Sequence, residues 1–354
     1  MGVVALAMGA RLGKIFCSGP SNVSVDNLAA RIYEVSSTVT DRYNAGPKGG
    51  NARRKLVVRG FKTVFDMDAF RHLVRFPDDI EGARPKVDWG TERRWQLDYS
   101  VAYWLLALFR SPAVPPLHED DAQILHDMRD DIDNRENLKF LRAYATGQIT
   151  REEFIQSDPP PEEVLEALFD RLVREADFGC ATPALSENNG TWRFYKKMCG
   201  GVIVDEAAAM HLSDLACAWG NVATPCFLGG DPVQLPPTVL TQHEKDVDGN
   251  YLNRLPADGS ISGLEYLQAM GIPVYRLRVQ LRMAKGLFDA VSRFMYPDLD
   301  VEYGACCDID EPRFQSGHVL EEMLQEKFPE LKPPPEGHMN PVFLHCDGAE
   351  VLND

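Results

Sequence analysis

Gly201-Val202-Ile203-Val204-Asp205-Glu206-Ala207-Ala208 and, about twenty residues later, Phe227-Leu228-Gly229-Gly230-Asp231-Pro232-Val233-Gln234-Leu235-Pro236-Pro237 decide how this chain is read. Val202 to Val204 are three consecutive apolar β-branched residues, which predicts a parallel strand buried on both faces. The run ends in two adjacent carboxylates. In α/β sheets, ligands bind outside the carboxyl ends of the strands. A carboxylate there can hold Mg²⁺ while its neighbour orients an attacking water. The second segment repeats the design, with an apolar run, two glycines, then Asp231 and Gln234 before a Pro-Pro stop. Two neighbouring strands would bring Asp205, Glu206, Asp231 and Gln234 to one edge. An isolated Asp-Glu pair is usually a solvated strand end or a helix N-cap; it is the two segments at this spacing that point to a site.

The totals are those of a globular protein. The chain has 354 residues, of which 44% are hydrophobic and 25% charged, enough for about two domains with a sizeable core. A net charge of −16 argues against a simple basic nucleic-acid binder but leaves room for a local basic groove. None of the eight cysteines forms a Cys-x-x-Cys pair, so a reducing intracellular compartment, cytoplasm or nucleus, is expected, with no zinc site. No apolar run has the length of a membrane span. Val3 to Met8 lacks the basic residue that would precede a signal sequence. Met1-Gly2 departs from a myristoylation motif at Leu6.

Taken from the start, residues 3–12 read as the end of a helix stopped by Gly13, and Lys14 to Cys17 as a strand. Ser18-Gly19-Pro20-Ser21-Asn22 is a turn, in which Ser21 or Asn22 caps the helix through Ile32. Such a capped N-terminus at a strand's carboxyl end can meet a phosphate. Residues 44–54 are a Gly-rich basic linker, and Leu56 to Val58 a strand. Residues 62–176 form a helical insertion, with helical spacing in Trp95–Leu97–Val101–Trp104–Leu105–Leu108 and in Val164–Leu165–Leu168–Leu172. Its stretch from His118 to Asp177 is strongly acidic, which suggests a solvated lobe that could dock a protein partner. Phe178 to Cys180 is a further strand, Ala207 to Trp219 a helix, 241–260 a surface loop and Ile261 to Met270 a helix. Strands are expected at Pro273 to Leu277 and Pro341 to His345, and loops at 297–316 and 329–340.

The order of these segments resembles the helicase core of superfamily 1, in the branch that includes the nonsense-mediated-decay RNA helicase. Gly19-Pro20-Ser21-Asn22-Val23-Ser24-Val25-Asp26-Asn27 looks like motif Ia. Cys180-Ala181-Thr182-Pro183 looks like the nucleic-acid-contacting strand that follows it. Asp205-Glu206-Ala207-Ala208 looks like motif II, Gly230 to Pro237 like motif III, and Gln280-Leu281-Arg282-Met283 like motif IV. The resemblance implies an α/β architecture. A RecA-like parallel sheet of the P-loop NTPase fold would span 1–61 and 177–272, interrupted by the helical acidic insertion 62–176. The start of a second RecA-like domain would occupy 273–354.

It also implies ATP and Mg²⁺ as cofactors. Asp205 would hold Mg²⁺ through water, Glu206 would activate the hydrolytic water, Gln234 would sense the γ-phosphate, and Arg282 would reach it from the second domain. Gly230, Asp231 and Gln280 would border the nucleotide. Ser21, Asn22, Thr182 and Pro183 would touch the backbone of a single strand, RNA rather than DNA by the branch resembled. Three departures shape the expectation. The family's phosphate loop should stand just before residue 1, its motifs V and VI beyond Asp354, and Leu281 replaces a tyrosine. The chain is therefore expected to be a fragment of an ATP-dependent helicase, one that couples hydrolysis to unwinding in the intact relative, with little ATPase of its own. The alternative is a non-catalytic pseudo-helicase that binds RNA or a protein partner, the latter through the acidic insertion. A Mg²⁺-dependent phosphohydrolase without a phosphate loop is a third.

Overall fold

Short apolar runs become strands here because each finds a parallel neighbour. The computed structural model describes residues 1–47, 49–85, 95–157, 159–220, 223–343 and 348. The chain divides into two units, Met1–Ile272 and Pro273–Asp354. The first opens with α1 (Gly2–Leu12), stopped by Gly13 at φ 80°, and β1 (Ile15–Ser18). Next comes α2 (Asn22–Asn44), which runs about three turns past Ile32. Ser21 starts it with a capping box. The Ser21 hydroxyl accepts from the Ser24 N–H and the Ser24 hydroxyl from the Ser21 N–H, each at 3.1 Å. This satisfies two N–H groups that a helix start leaves without partners. Val25, Leu28, Ala29 and Ile32 form its buried stripe, at the spacing of one helical face.

After β2 (Val57–Arg59) the insertion folds as α3 (Thr63–Arg75), α4 (Val101–Leu108), α5 (Gln123–Asn134), α6 (Lys139–Ala145), α7 (Arg151–Gln156) and α8 (Glu162–Glu175). These helices do not form a separate body. Phe70, Leu105, Phe109 and Leu172 belong to one buried cluster with Phe16, Val58, Val202 and Val204 of the sheet. The indole N–H of Trp104 in α4 donates to the Val57 carbonyl at 2.8 Å, so a large apolar ring is buried with its one polar atom satisfied.

Then follow β3 (Phe178–Cys180), α9 (Pro183–Asn188), α10 (Gly190–Met198), β4 (Gly201–Val204), α11 (Leu212–Trp219) and β5 (Cys226–Leu228). The five strands pair in parallel in the order β2-β3-β1-β4-β5. Ser18, Val204 and Leu228 stand in register across β1, β4 and β5. The first four strands are buried at every residue, as near-continuous apolar runs require. β5 is an edge strand and is only half-buried, with Phe227 exposed. The expected helix from Ala207 breaks in two. Ala207–Ala209 is a single 3₁₀ turn and the α-helix starts only at Leu212, because the backbone turns extended at Met210 (ψ 127°) and His211 (ψ 147°) between them. The loop after β5 contains one short helix, α12 (Pro256–Gly259), before α13 (Gly263–Ala269).

In the second unit β6 (Val279–Gln280) pairs in parallel with β7 (Glu302–Tyr303), and the helices are α14 (Asp289–Met295) and α15 (Gln315–Lys327). Two sequence expectations fail here. Pro273–Leu277 has no regular structure, and Tyr275 and Leu277 are exposed; an apolar run without a partner strand makes no ladder. Pro341–Phe343 is irregular too, and the rest of that expected strand, Leu344 and His345, lies outside the described residues. β7 instead falls in the segment read as a loop. Buried apolar residues in this unit are few: Ala284, Cys307, Leu324 and Met339 among the described residues.

Candidate functional site

The strand order fixes where the site lies. From β1 the chain leaves toward β2, and from β4 it leaves toward β5. The crevice at the carboxyl ends of β1 and β4 is therefore a topological switch point, where open α/β sheets bind ligands. Three loops meet there. The Asp205 N–H donates to Ser18 O at 2.9 Å, the Gly229 N–H to Val204 O at 2.8 Å, and the Ala207 N–H to Gly229 O. Gly230 lies directly on the turn after β4, where a Cβ would stand 2.7 Å from Ala208 N and 3.0 Å from Ala207 N. Only glycine lets the two backbones approach so closely. Met1 packs against Gly229, so the first turn of α1 stands over the same edge.

Asp205 is half-buried and Glu206 exposed. Burial pushes the Asp205 carboxyl up, and the Glu206 N–H, donating to its Oδ1 at 3.1 Å, partly offsets this. Glu206 has φ 53° and ψ 37°, a left-handed conformation uncommon for a side chain with a Cβ. Asp231 organises the β5 loop. Its carboxylate accepts from the Val233 N–H at 3.0 Å and from Gln234 Nε2 at 3.1 Å. Gln234 is exposed, with its amide turned back on Asp231. Asp205, Glu206, Gly230, Asp231 and Gln234 thus come from two neighbouring strands to one edge.

The third and fourth loops carry the residues expected to meet a single strand. Ser18 Oγ donates to Ala181 O at 2.8 Å, joining the loop after β1 to the loop after β3. Ser21 is exposed, and Asn22 and Thr182 are half-buried. Pro183 is buried at the first position of α9, where its fixed φ suits a helix start; it shapes the loop from within. The reading of the sequence missed Arg59. Its guanidinium is buried and donates to Asp26 Oδ1 at 2.5 Å, to Asn22 Oδ1 at 2.9 Å and to the Gly60 carbonyl. It also lies over the Phe61 ring, 4.1 Å from its centre. An arginine has no acceptor atom, so Asn22 must turn its oxygen to Arg59 and its NH₂ the other way. The signal was visible: a charged residue closing the apolar run Leu56-Val57-Val58.

Gln280 and Arg282 lie in the second unit. The Gln280 side-chain oxygen accepts from the Met283 N–H at 3.0 Å and from the Arg282 N–H, so it folds the turn that follows β6. Among the described residues no three His, Cys, Asp or Glu side chains converge as a metal cage. A Mg²⁺ ion held mainly by waters and substrate phosphates needs only one or two protein carboxylates, and Asp205 is of that kind. No described helix is long and apolar enough to cross a membrane. No protein-family model matches the sequence, and no curated protein matches it either.

Proposed function

We propose that the first unit is the RecA-like ATPase domain of a superfamily 1 type helicase, acting on single-stranded nucleic acid, RNA rather than DNA. The observation that carries this reading is the meeting of the loops after β1, β4 and β5 at the switch point, with Asp205 and Glu206 on β4. A bound Mg·ATP would supply the transferable γ-phosphoryl group and its charge neutralisation. Asp205 would hold the ion through water, and Glu206 would orient the attacking water. The α1 N-terminus favours negative charge at the same edge. The Asn22 NH₂ and the Ser21 and Thr182 hydroxyls would contact the strand's backbone without reading its sequence.

The test uses the full chain. Anisotropy of a fluorescein-labelled oligouridine 15-mer should report binding. Asn22→Asp should weaken it about tenfold, or ~1.4 kcal/mol, because a carboxylate then faces phosphate. Fluorescence of a methylanthraniloyl-ATP probe should show Mg²⁺-dependent binding that Asp205→Ala removes. Turnover should stay at background, since no Gly-Lys-Ser/Thr loop occurs in these 354 residues. An Asn22→Asp variant that binds the oligomer like the parent, or nucleotide binding indifferent to Asp205, would sink the proposal.

A further inference from the structure

The helical insertion holds a groove that the nucleotide reading does not use. Its volume is about 490 Å³ and it is open along one side, between α3, α6, α7 and α8. Phe70, Val74 and Leu165 make a buried apolar floor. Tyr144 and Phe154 form one wall, their rings stacked 4.8 Å apart and nearly parallel. The rim carries apolar side chains left in solvent, Phe76 at 43% and Ile155 at 56% exposure.

The charges on this rim run against those of the lobe. Arg71, Arg75 and Arg151 line the groove, in a segment rich in Asp and Glu. Arg71 is neutralised by Glu162 at 2.7 Å. Arg75 stacks on the Phe76 ring at 4.6 Å, and neither Arg75 nor Arg151 has an ion pair among the described residues. Glu162 is the one carboxylate that lines the groove among the described residues, and it is held by Arg71. Two guanidinium groups without carboxylate partners among the described residues, one on α3 and one on α7, therefore flank an apolar floor.

We propose that this groove docks a short acidic amphipathic helix from a protein partner. Its apolar residues at i and i+4 would fill the floor over Phe70 and Val74, and its carboxylates would pair with Arg75 and Arg151. Helix-in-groove docking reads an apolar stripe through such a floor, and arginine favours carboxylate through paired hydrogen bonds. Neither contribution alone would select this partner. A neutral apolar peptide leaves the arginines unpaired, and an acidic polar one leaves the floor wet.

The experiment measures anisotropy of two labelled helical peptides on the full chain. One has leucines every three or four residues among glutamates; the other has every glutamate replaced by lysine. The glutamate peptide should bind at least tenfold more tightly, with affinity falling as salt rises. The double variant Arg75→Glu/Arg151→Glu should reverse the preference. Ile155→Glu, an exposed rim position that does not threaten folding, should weaken the glutamate peptide at least fivefold. Equal binding of the two peptides, no binding, or a preference that survives the double variant would overturn the proposal. So would saturation by dodecanoate with no peptide binding, which would assign the groove to a small amphiphilic anion. A dimer in sedimentation that Ile155→Glu dissolves would assign it to a second copy of the chain and overturn it as well.

Discussion

Two aspartates in the first unit are both pushed above the usual carboxylate range by burial, yet they are built for different ends. Asp66, in the first turn of α3, is almost wholly buried, and its carboxyl is raised to about 7. Trp95 Nε1 donates to it at 2.9 Å, and that bond, the backbone N–H groups of Ala102 and Phe61 and the Arg59 charge only partly offset the burial. Asp205 is half-buried, is raised as well, and accepts from the Glu206 N–H beside it. A carboxyl buried against an indole N–H holds the packing around it together. One that keeps acceptor capacity at an open strand end can take a cation.

The largest expected effect separates the two directly. Asp66→Ala should cost about 2–4 kcal/mol, because it strands the buried Trp95 N–H and leaves a small void. Asp205→Ala should change stability by no more than ~0.5 kcal/mol. All five tryptophans lie within residues 1–272, so urea unfolding followed by tryptophan fluorescence reports this unit. Equal losses for the two variants would erase the distinction.

The pH dependence sharpens the same contrast. The folded chain keeps a proton on Asp66 up to about 7, whereas the unfolded chain releases it near its ordinary value, about 4. Between these values the folded state binds more protons, so this group's contribution to stability falls as pH rises and levels off above 7. Paired carboxylates such as Asp133, held low by Arg110, slope the other way. The informative quantity is therefore the parent minus Asp66→Asn, which should drop by a few kcal/mol across the window. A flat difference would mean that the surrounding donors outweigh burial at Asp66.

The parallel sheet and the edge it forms were legible in the sequence because both follow from local pattern. Val202 to Val204 suited a strand buried on both faces, which puts the carboxylates that follow it at the strand's end. The switch point was not legible, since it depends on β1 lying between β3 and β4, a long-range pairing. Arg59 was missed for the same reason: its partners Asn22 and Asp26 are more than thirty residues away in sequence. The rim of Arg75 and Arg151 is hidden by averaging, because an acidic composition masks two cations that only the packing of α3 and α7 brings to one groove. The strand expected at Pro273–Leu277 failed because an apolar run states an appetite for burial and not the presence of a partner.

The smallest effect concerns the residue next to Asp205. Glu206 adopts a left-handed backbone conformation, as do two residues of the helical lobe, Tyr99 and Arg110. A side chain with a Cβ there costs about 1 kcal/mol or more. At Glu206 the turn is held by bonds on both sides: Asp205 N–H to Ser18 O and Ala207 N–H to Gly229 O. Those bonds fix φ and ψ whatever residue stands between them. Glu206→Gly should therefore be more stable than Glu206→Ala by about 0.5–1 kcal/mol, after the extra entropy glycine loses on folding is set against the relieved strain. Glu206→Ala and Glu206→Gly lose the same carboxylate, so comparing their urea midpoints isolates the backbone term. A glycine variant no more stable than the alanine one would mean that the turn relaxes when the side chain changes. The edge at Asp205 would then be a pliant loop end, without the fixed geometry that the water activation proposed for Glu206 demands.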